Sequence, residues 1–257
     1  MRLHLHEWGS ALAPPVVCLH GVTSHGARFG HLAERLPRFR VLAPDLRGHG
    51  RSGWEPPWRL ETHVDDVLET AAAAGVDGAA WIGHSFGGRV LIELAARFPD
   101  RVDRVVLLDP AIRIPPGNAL RAADSVREER VFATPHDAVA VPLAGPPRLN
   151  PPELVEEERE QHLEAVEGGY KWRYSRSAAV AILGELTVAP PPPGLLRAPV
   201  LLVVGEDVSV VAPRQIDELR GALGDRLHVA TVAGGHNVLW DAFEATAAAV
   251  SAFLDDA

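Results

Sequence analysis

Two hydrophobic patterns alternate along this chain. Runs apolar at nearly every position stand at Val16–Leu19, Arg40–Ala43, Ala79–Ile82, Val105–Leu108, Pro199–Val204 and Leu227–Val232. Such runs fit strands whose two faces are both covered. Between them, apolar residues recur at the spacing of a helix face over Phe29–Leu36, Glu61–Ala74, Phe86–Phe98, Pro213–Leu223 and Leu239–Leu254. Arg2–Trp8 fits one more strand, antiparallel, at the start. The alternation predicts an α/β fold with a mostly parallel central sheet flanked by helices.

One connection breaks the rhythm. From Pro110 to Ala198 the pattern offers no buried strand, and Arg121–Ala133, Pro152–Gly168 and Trp172–Leu186 read as helices. Pro190-Pro191-Pro192-Pro193-Gly194 then leads stiffly into the next strand. The expected division is a core of residues 1–112 and 196–257 with a helical cap, 113–195, inserted at a strand end. The acidic run Glu156-Glu157-Glu158-Arg159-Glu160 reads as a solvated helix face.

Composition narrows the classes. The 257 residues suit one large α/β domain. Acidic residues outnumber basic ones, 34 to 25, for a net charge of −9, and no basic cluster interleaves with aromatics, so nucleic acid is not an expected partner. Cys18 is the one cysteine, which excludes an intramolecular disulfide and any site needing two thiolates. The N-terminal stretch lacks the layout of a signal peptide and no apolar run is long enough to span a bilayer, so a soluble, cytoplasmic protein is expected. His4 and His6 share a strand face without an evident third metal ligand, and no nucleotide or zinc motif occurs; neither cofactor nor metal is expected.

Gly83-His84-Ser85-Phe86-Gly87-Gly88 follows an apolar strand and opens a helical pattern. In that context G-x-S-x-G forms a nucleophile elbow: the serine occupies a strained strand-to-helix turn, and bulky residues at positions 83 and 87 would clash. A serine N-cap in an ordinary turn is the plainer alternative. A serine hydroxyl needs a base, and His236 is best placed among 12 histidines. It lies in Gly234-Gly235-His236-Asn237, after the last strand and before the last helix, on the sheet edge where a parallel sheet gathers such loops. Two backbone N–H donors would complete acyl-transfer chemistry: Phe86, which follows the serine, and Val22, which follows His20-Gly21. His20 itself reads as structural.

These pieces resemble the α/β-hydrolase superfamily in its serine-nucleophile form with a helical cap. His20-Gly21, Asp45-Leu46-Arg47-Gly48-His49-Gly50-Arg51-Ser52, Gly83–Gly88 and Gly235-His236 follow the family pattern in order, across essentially the whole chain. The resemblance implies Ser85 as nucleophile, Val22 and Phe86 as oxyanion hole, His236 as base, and an acid to orient the base. Here the chain departs from the commonest pattern: the usual position, three residues after Gly205, holds Val208. Asp207 and Glu206 flank it. Some members place the acid at the end of the strand after the nucleophile helix, which here ends in Asp109-Pro110. Asp109 is the preferred candidate and Asp207 the alternative, because the triad fixes roles and not sequence positions.

The expected function is hydrolysis of a carboxylic ester, thioester or lactone of a small to medium hydrophobic substrate through an acyl-enzyme on Ser85. Serine at the elbow argues against the haloalkane dehalogenase and epoxide hydrolase branches, which attack with a carboxylate. Three other readings stay open: a C–C bond hydrolase, which would hold a substrate carboxylate with Arg28, Arg113 or Arg173; a cofactor-free haloperoxidase-type enzyme; and a receptor-like protein that binds a ligand and turns over slowly. Trp54 and Trp58, and Tyr170, Trp172 and Tyr174 of the insertion, are candidates to line the pocket or to pack the loops.

Overall fold

A computed structural model describes residues 1–140 and 152–255. Its strands are β1 (Leu5–Trp8), β2 (Pro15–Leu19), β3 (Arg40–Pro44), β4 (Ala79–His84), β5 (Val102–Leu108), β6 (Leu163–Val166), β7 (Gly169–Trp172), β8 (Val200–Gly205) and β9 (Leu227–Val232). Seven of them form one sheet in the order β1-β3-β2-β4-β5-β8-β9, parallel throughout except for β1, which pairs antiparallel with β3. The strand order reverses beside β2, so the loops at the carboxyl ends of β2, β4, β5, β8 and β9 gather along one edge.

Alternation along each strand divides the core in two. Val17, Leu19, Leu42, Trp81, Val105, Leu107 and Leu202 face one side, against α2 (Leu60–Ala73), α3 (Phe86–Arg97) and α8 (Pro213–Leu223). Val16, Cys18, Val41, Ile82, Val106, Leu108 and Val203 face the other, against α1 (Gly30–Glu34) and α10 (Phe243–Asp255). Both faces being covered explains why the central strands are apolar at successive positions over Ala79–Ile82, Val105–Leu108 and Val200–Val204. Ala242, at φ −145° and ψ 46°, separates α9 (Val238–Asp241) from α10, where the pattern predicts one continuous helix. No helix among the described residues is long and apolar enough to cross a membrane.

The connection between β5 and β8 departs further from expectation. It holds α4 (Pro116–Arg127), α5 (Pro135–Ala140), α6 (Pro152–Gln161) and α7 (Arg176–Glu185), but also the antiparallel hairpin β6–β7. Residues 141–151 of the insertion lie outside the described residues. The helix expected over Pro152–Gly168 therefore stops at Gln161, and the one expected from Trp172 starts at Arg176. The helix expected to reach Ala133 stops at Arg127, because Phe132 exchanges two 2.8 Å hydrogen bonds with Tyr170 at the hairpin. At these ends, backbone pairing between distant segments overrides the helical pattern.

The insertion is joined to the core at several points. The His49 and Tyr174 segments pair, with Gly50 N–H donating to the Arg173 carbonyl at 2.8 Å and Ser175 N–H to the Gly48 carbonyl at 2.7 Å. Arg89 on α3, wholly buried, donates to the Ile112 carbonyl where the insertion begins and to the Val188 and Ala189 carbonyls where it ends.

Candidate active site

Ser85 occupies the sharp turn between β4 and α3 at φ 53°, ψ −115°, a backbone region that non-glycine residues rarely adopt. Its neighbours make the turn possible: a Cβ at Gly83 would fall 2.5 Å from the Gly87 carbonyl oxygen, and one at Gly87 2.1 Å from the Leu19 carbonyl oxygen. The strained residue is held on both sides. Its N–H donates to the Leu108 carbonyl at 3.1 Å, and its carbonyl accepts the Ala111 N–H at 2.9 Å.

His236 follows β9 and reaches back over the sheet edge. Its Nε2 lies 3.0 Å from Ser85 Oγ and its Nδ1 2.6 Å from Asp109 Oδ2. Since Nδ1–H donates to the carboxylate, Nε2 is left to accept the serine proton. The loop is pinned by the His84 ring, whose Nε2–H donates to the His236 carbonyl at 3.0 Å. Burial, reinforced by the adjacent His236, lowers the His84 pKa to about 3, so that ring stays neutral.

Asp109 follows β5 at φ 40° and is fully buried. Its N–H extends the pairing with β8 by donating to the Val203 carbonyl at 2.7 Å. Its carboxylate accepts the Ser209 hydroxyl on Oδ1 and the Val210 N–H on Oδ2 at 3.1 Å, in addition to His236. Asp207 and Glu206 are exposed instead. Their backbone N–H groups donate to Gly234 and Val232, and neither side chain meets His236. The loop after β8 thus contributes a hydroxyl and an amide that hold the Asp109 carboxylate. Sequence reasoning passed over Ser209; its signal was a hydroxyl residue beside a position where the usual acid is missing.

Val22, in the loop after β2, and Phe86, the first residue of α3, flank Ser85. Among the described residues, neither backbone N–H is donated to another protein group. The Val22 loop is fixed around it: His20 Nδ1–H donates to the Gly21 carbonyl at 2.8 Å, His20 Nε2 accepts the Leu46 N–H at 2.8 Å, and Thr23, at φ 59°, donates its N–H to His49 Nε2 at 3.3 Å. Burial keeps His20 neutral, with its pKa well below the usual range.

A cavity of about 500 Å³ opens on Ser85 and His236. Its walls are largely apolar: Ile114, Val126, Leu183, Leu186, Val210 and Leu239. The insertion supplies Asn118, Ala122, Ser125 and Val126 from α4, and Leu183 from α7. Of the three arginines considered, Arg28 lines it; Arg113 donates to the Thr187 carbonyl and Arg173 to the Leu163 carbonyl. Trp54, Trp58, Tyr170, Trp172 and Tyr174 are not among the lining residues, and the last three pack with Leu163 and Ala179 beneath the hairpin.

Two further expectations change. Glu158 does not belong to a solvated face: it is fully buried against His25, Arg28 and His162. Asp45 joins His4 and His6, with His6 Nε2 at 3.2 Å from Asp45 Oδ1. That carboxylate also accepts the Gly26 and Arg51 N–H groups at 2.8 and 2.9 Å, which fastens two loops.

Known proteins share this arrangement of chain. The family model for the alpha/beta hydrolase fold matches residues 14–139. Lipase LipV of Mycobacterium tuberculosis is 34% identical over 88% of this chain and 85% of its own length. The 2-(acetamidomethylene)succinate hydrolase of Mesorhizobium japonicum is 30% identical over 99% of this chain and 92% of its own. A crystal structure of E-2-(acetamidomethylene)succinate hydrolase superposes with a TM-score of 0.83 at 26% identity, covering 98% of this chain and 95% of that one. The chain belongs to the α/β-hydrolase family, and its relatives are hydrolases.

Proposed function

We propose that this protein is a serine hydrolase of carboxylic esters whose acyl group is uncharged and largely apolar. The observation that carries the reading is His236, within hydrogen-bonding distance of Ser85 Oγ through one ring nitrogen and of a buried carboxylate through the other. Ser85 attacks the ester carbonyl while His236 takes its proton, and Asp109 orients and stabilises the resulting imidazolium. The tetrahedral oxyanion accepts the free N–H groups of Val22 and Phe86, at the positive end of α3. His236 then gives the proton to the leaving alkoxide. In the second half it takes a proton from a water whose oxygen attacks the acyl carbonyl, then returns that proton to Ser85 Oγ as the acid leaves. None of these steps draws on a cofactor.

The apolar walls support the substrate class, and so does the similarity to a protein named as a lipase. A cap role for the segment 113–195 is supported by α4 and α7, which supply part of the cavity wall. A second reading is favoured by Arg28 at the cavity and by the relative named for a succinate derivative: hydrolysis of a carboxylate-bearing substrate.

Labelling with a fluorophosphonate, alongside p-nitrophenyl butyrate turnover, tests the mechanism in wild type and Ser85→Ala. Labelling and turnover in wild type, both lost in Ser85→Ala, are expected. Wild type that neither labels nor turns over any ester would favour the receptor-like alternative.

A further inference from the structure

Glu158 is buried within a helix whose neighbouring residues Glu156, Arg159 and Glu160 are exposed. Its carboxylate meets groups from two other segments. Arg28, in the turn after β2, and His25 Nε2, at 3.3 Å, share Oε1; His162 Nδ1 lies 2.9 Å from Oε2. Burial opposes ionisation of Glu158, but Arg28 and His25 outweigh it and hold the carboxyl well below its usual range. His25 itself is lowered to about 4 by burial, so the guanidinium of Arg28 is the cation that faces the shared Glu158 oxygen.

Arg28 has a second neighbour on the cavity side. Its guanidinium carbon lies 5.1 Å from the centre of the Trp240 ring, and both residues line the cavity beside Ser85. Among the described lining residues, Arg28 is the one lysine or arginine. An unpaired cation facing a largely apolar cavity would by itself draw a carboxylate-bearing substrate, because such a group is costly to bury without a partner.

We infer that Glu158 is a specificity-determining residue: by neutralising Arg28 it reserves the cavity for uncharged acyl groups and rejects those ending in a carboxylate. This rests on the ester-hydrolase reading above and resolves its two substrate classes in favour of the neutral one. A substrate carboxylate entering here would meet a cation already paired, with Glu158 itself as a like charge nearby. His25, Glu158 and His162 also have the composition of a metal site. However, Arg28 already supplies the compensating charge on the shared oxygen, and a dication would leave an excess of positive charge in a buried place.

The test compares kcat/KM for ethyl hexanoate and for monoethyl adipate, which carry acyl chains of equal length and differ in a terminal carboxylate. Glu158→Gln keeps the shape and a hydrogen-bond acceptor while removing the charge. The adipate-to-hexanoate ratio is expected to rise about tenfold in Glu158→Gln and to return toward the wild-type ratio when Arg28→Gln is added. Arg28→Gln alone, which leaves Glu158 unbalanced, is expected to lower the ratio, so the proposal remains testable if one variant fails to fold. A role confined to fastening α6 to the core would change both substrates alike. An unchanged ratio in Glu158→Gln or Arg28→Gln, with ethyl hexanoate still cleaved, overturns the proposal. Wild type that cleaves neither ester overturns the hydrolase reading and this inference with it.

Discussion

Asp109 Oδ2 and His236 Nδ1 lie 2.6 Å apart although their strands, β5 and β9, are not neighbours. The intervening strand β8 ends in a loop that does not block the approach but supports it, with Ser209 and Val210 donating to the same carboxylate. Asp109 departs from the strand at φ 40°, so its side chain projects along the sheet edge instead of continuing the alternation of β5. Three donors on one buried carboxylate leave it a fixed acceptor for the imidazole.

With Asp109 as the orienting acid, Asp109→Asn loses the charge that stabilises the imidazolium and favours the wrong tautomer. Ester turnover is expected to fall about ten-thousand-fold, while Asp207→Asn stays within about twofold of wild type. Steady-state kcat for p-nitrophenyl butyrate measures both. Collapse in Asp207→Asn with Asp109→Asn active would reverse the assignment.

The elbow predicts a stability defect that needs no assay of activity. Gly87→Ala would set a methyl group 2.1 Å from the Leu19 carbonyl oxygen, a backbone atom of β2 that cannot step aside without disturbing the sheet. Destabilisation of about 3 kcal/mol or more is expected, read from urea unfolding. A loss of less than about 1 kcal/mol would mean that β2 and α3 separate more easily than their packing implies.

Buried histidines predict the acid limb of stability. Burial lowers His25 and His49 to about 4 and His63 and His84 to about 3. Each therefore stays neutral in the folded chain while its unfolded counterpart takes up a proton near its ordinary value of 6.5. The unfolded state binds more protons in that window, so stability is complete above about pH 6.5 and is lost as pH falls toward 4 and 3. Each residue adds a slope approaching about 1.4 kcal/mol per pH unit. Urea midpoints at pH 8, 7, 6, 5 and 4 are expected to be level at first and then to drop steeply. A flat profile down to pH 4 would contradict neutral burial of these rings.

Much of this molecule is local in origin and therefore legible in its sequence. The central strands are apolar at successive buried positions because both sheet faces are covered, and Gly83 and Gly87 mark a turn where a side chain would strike backbone. The loops of Val22, Ser85, Asp109 and His236 could be assigned to one edge because parallel strands deliver their ends there. Two carboxylates, Asp109 as the preferred candidate and Asp207 as the alternative, were compatible with that argument, and the distance to His236 distinguishes them only across the folded sheet. The hairpin Leu163–Trp172 was hidden because its pairing with Phe132 outweighs a weak helical pattern. Glu158 was hidden more deeply. Within its own run it resembles every other solvated glutamate, and its burial depends on Arg28 and His25, which are distant in sequence and brought to it only by the packing of the insertion on the core. Local sterics and periodicity thus determined the scaffold and the turn that presents Ser85. Long-range electrostatic pairing, which has no sequence spacing of its own, brought Asp109 to His236 and Glu158 to Arg28.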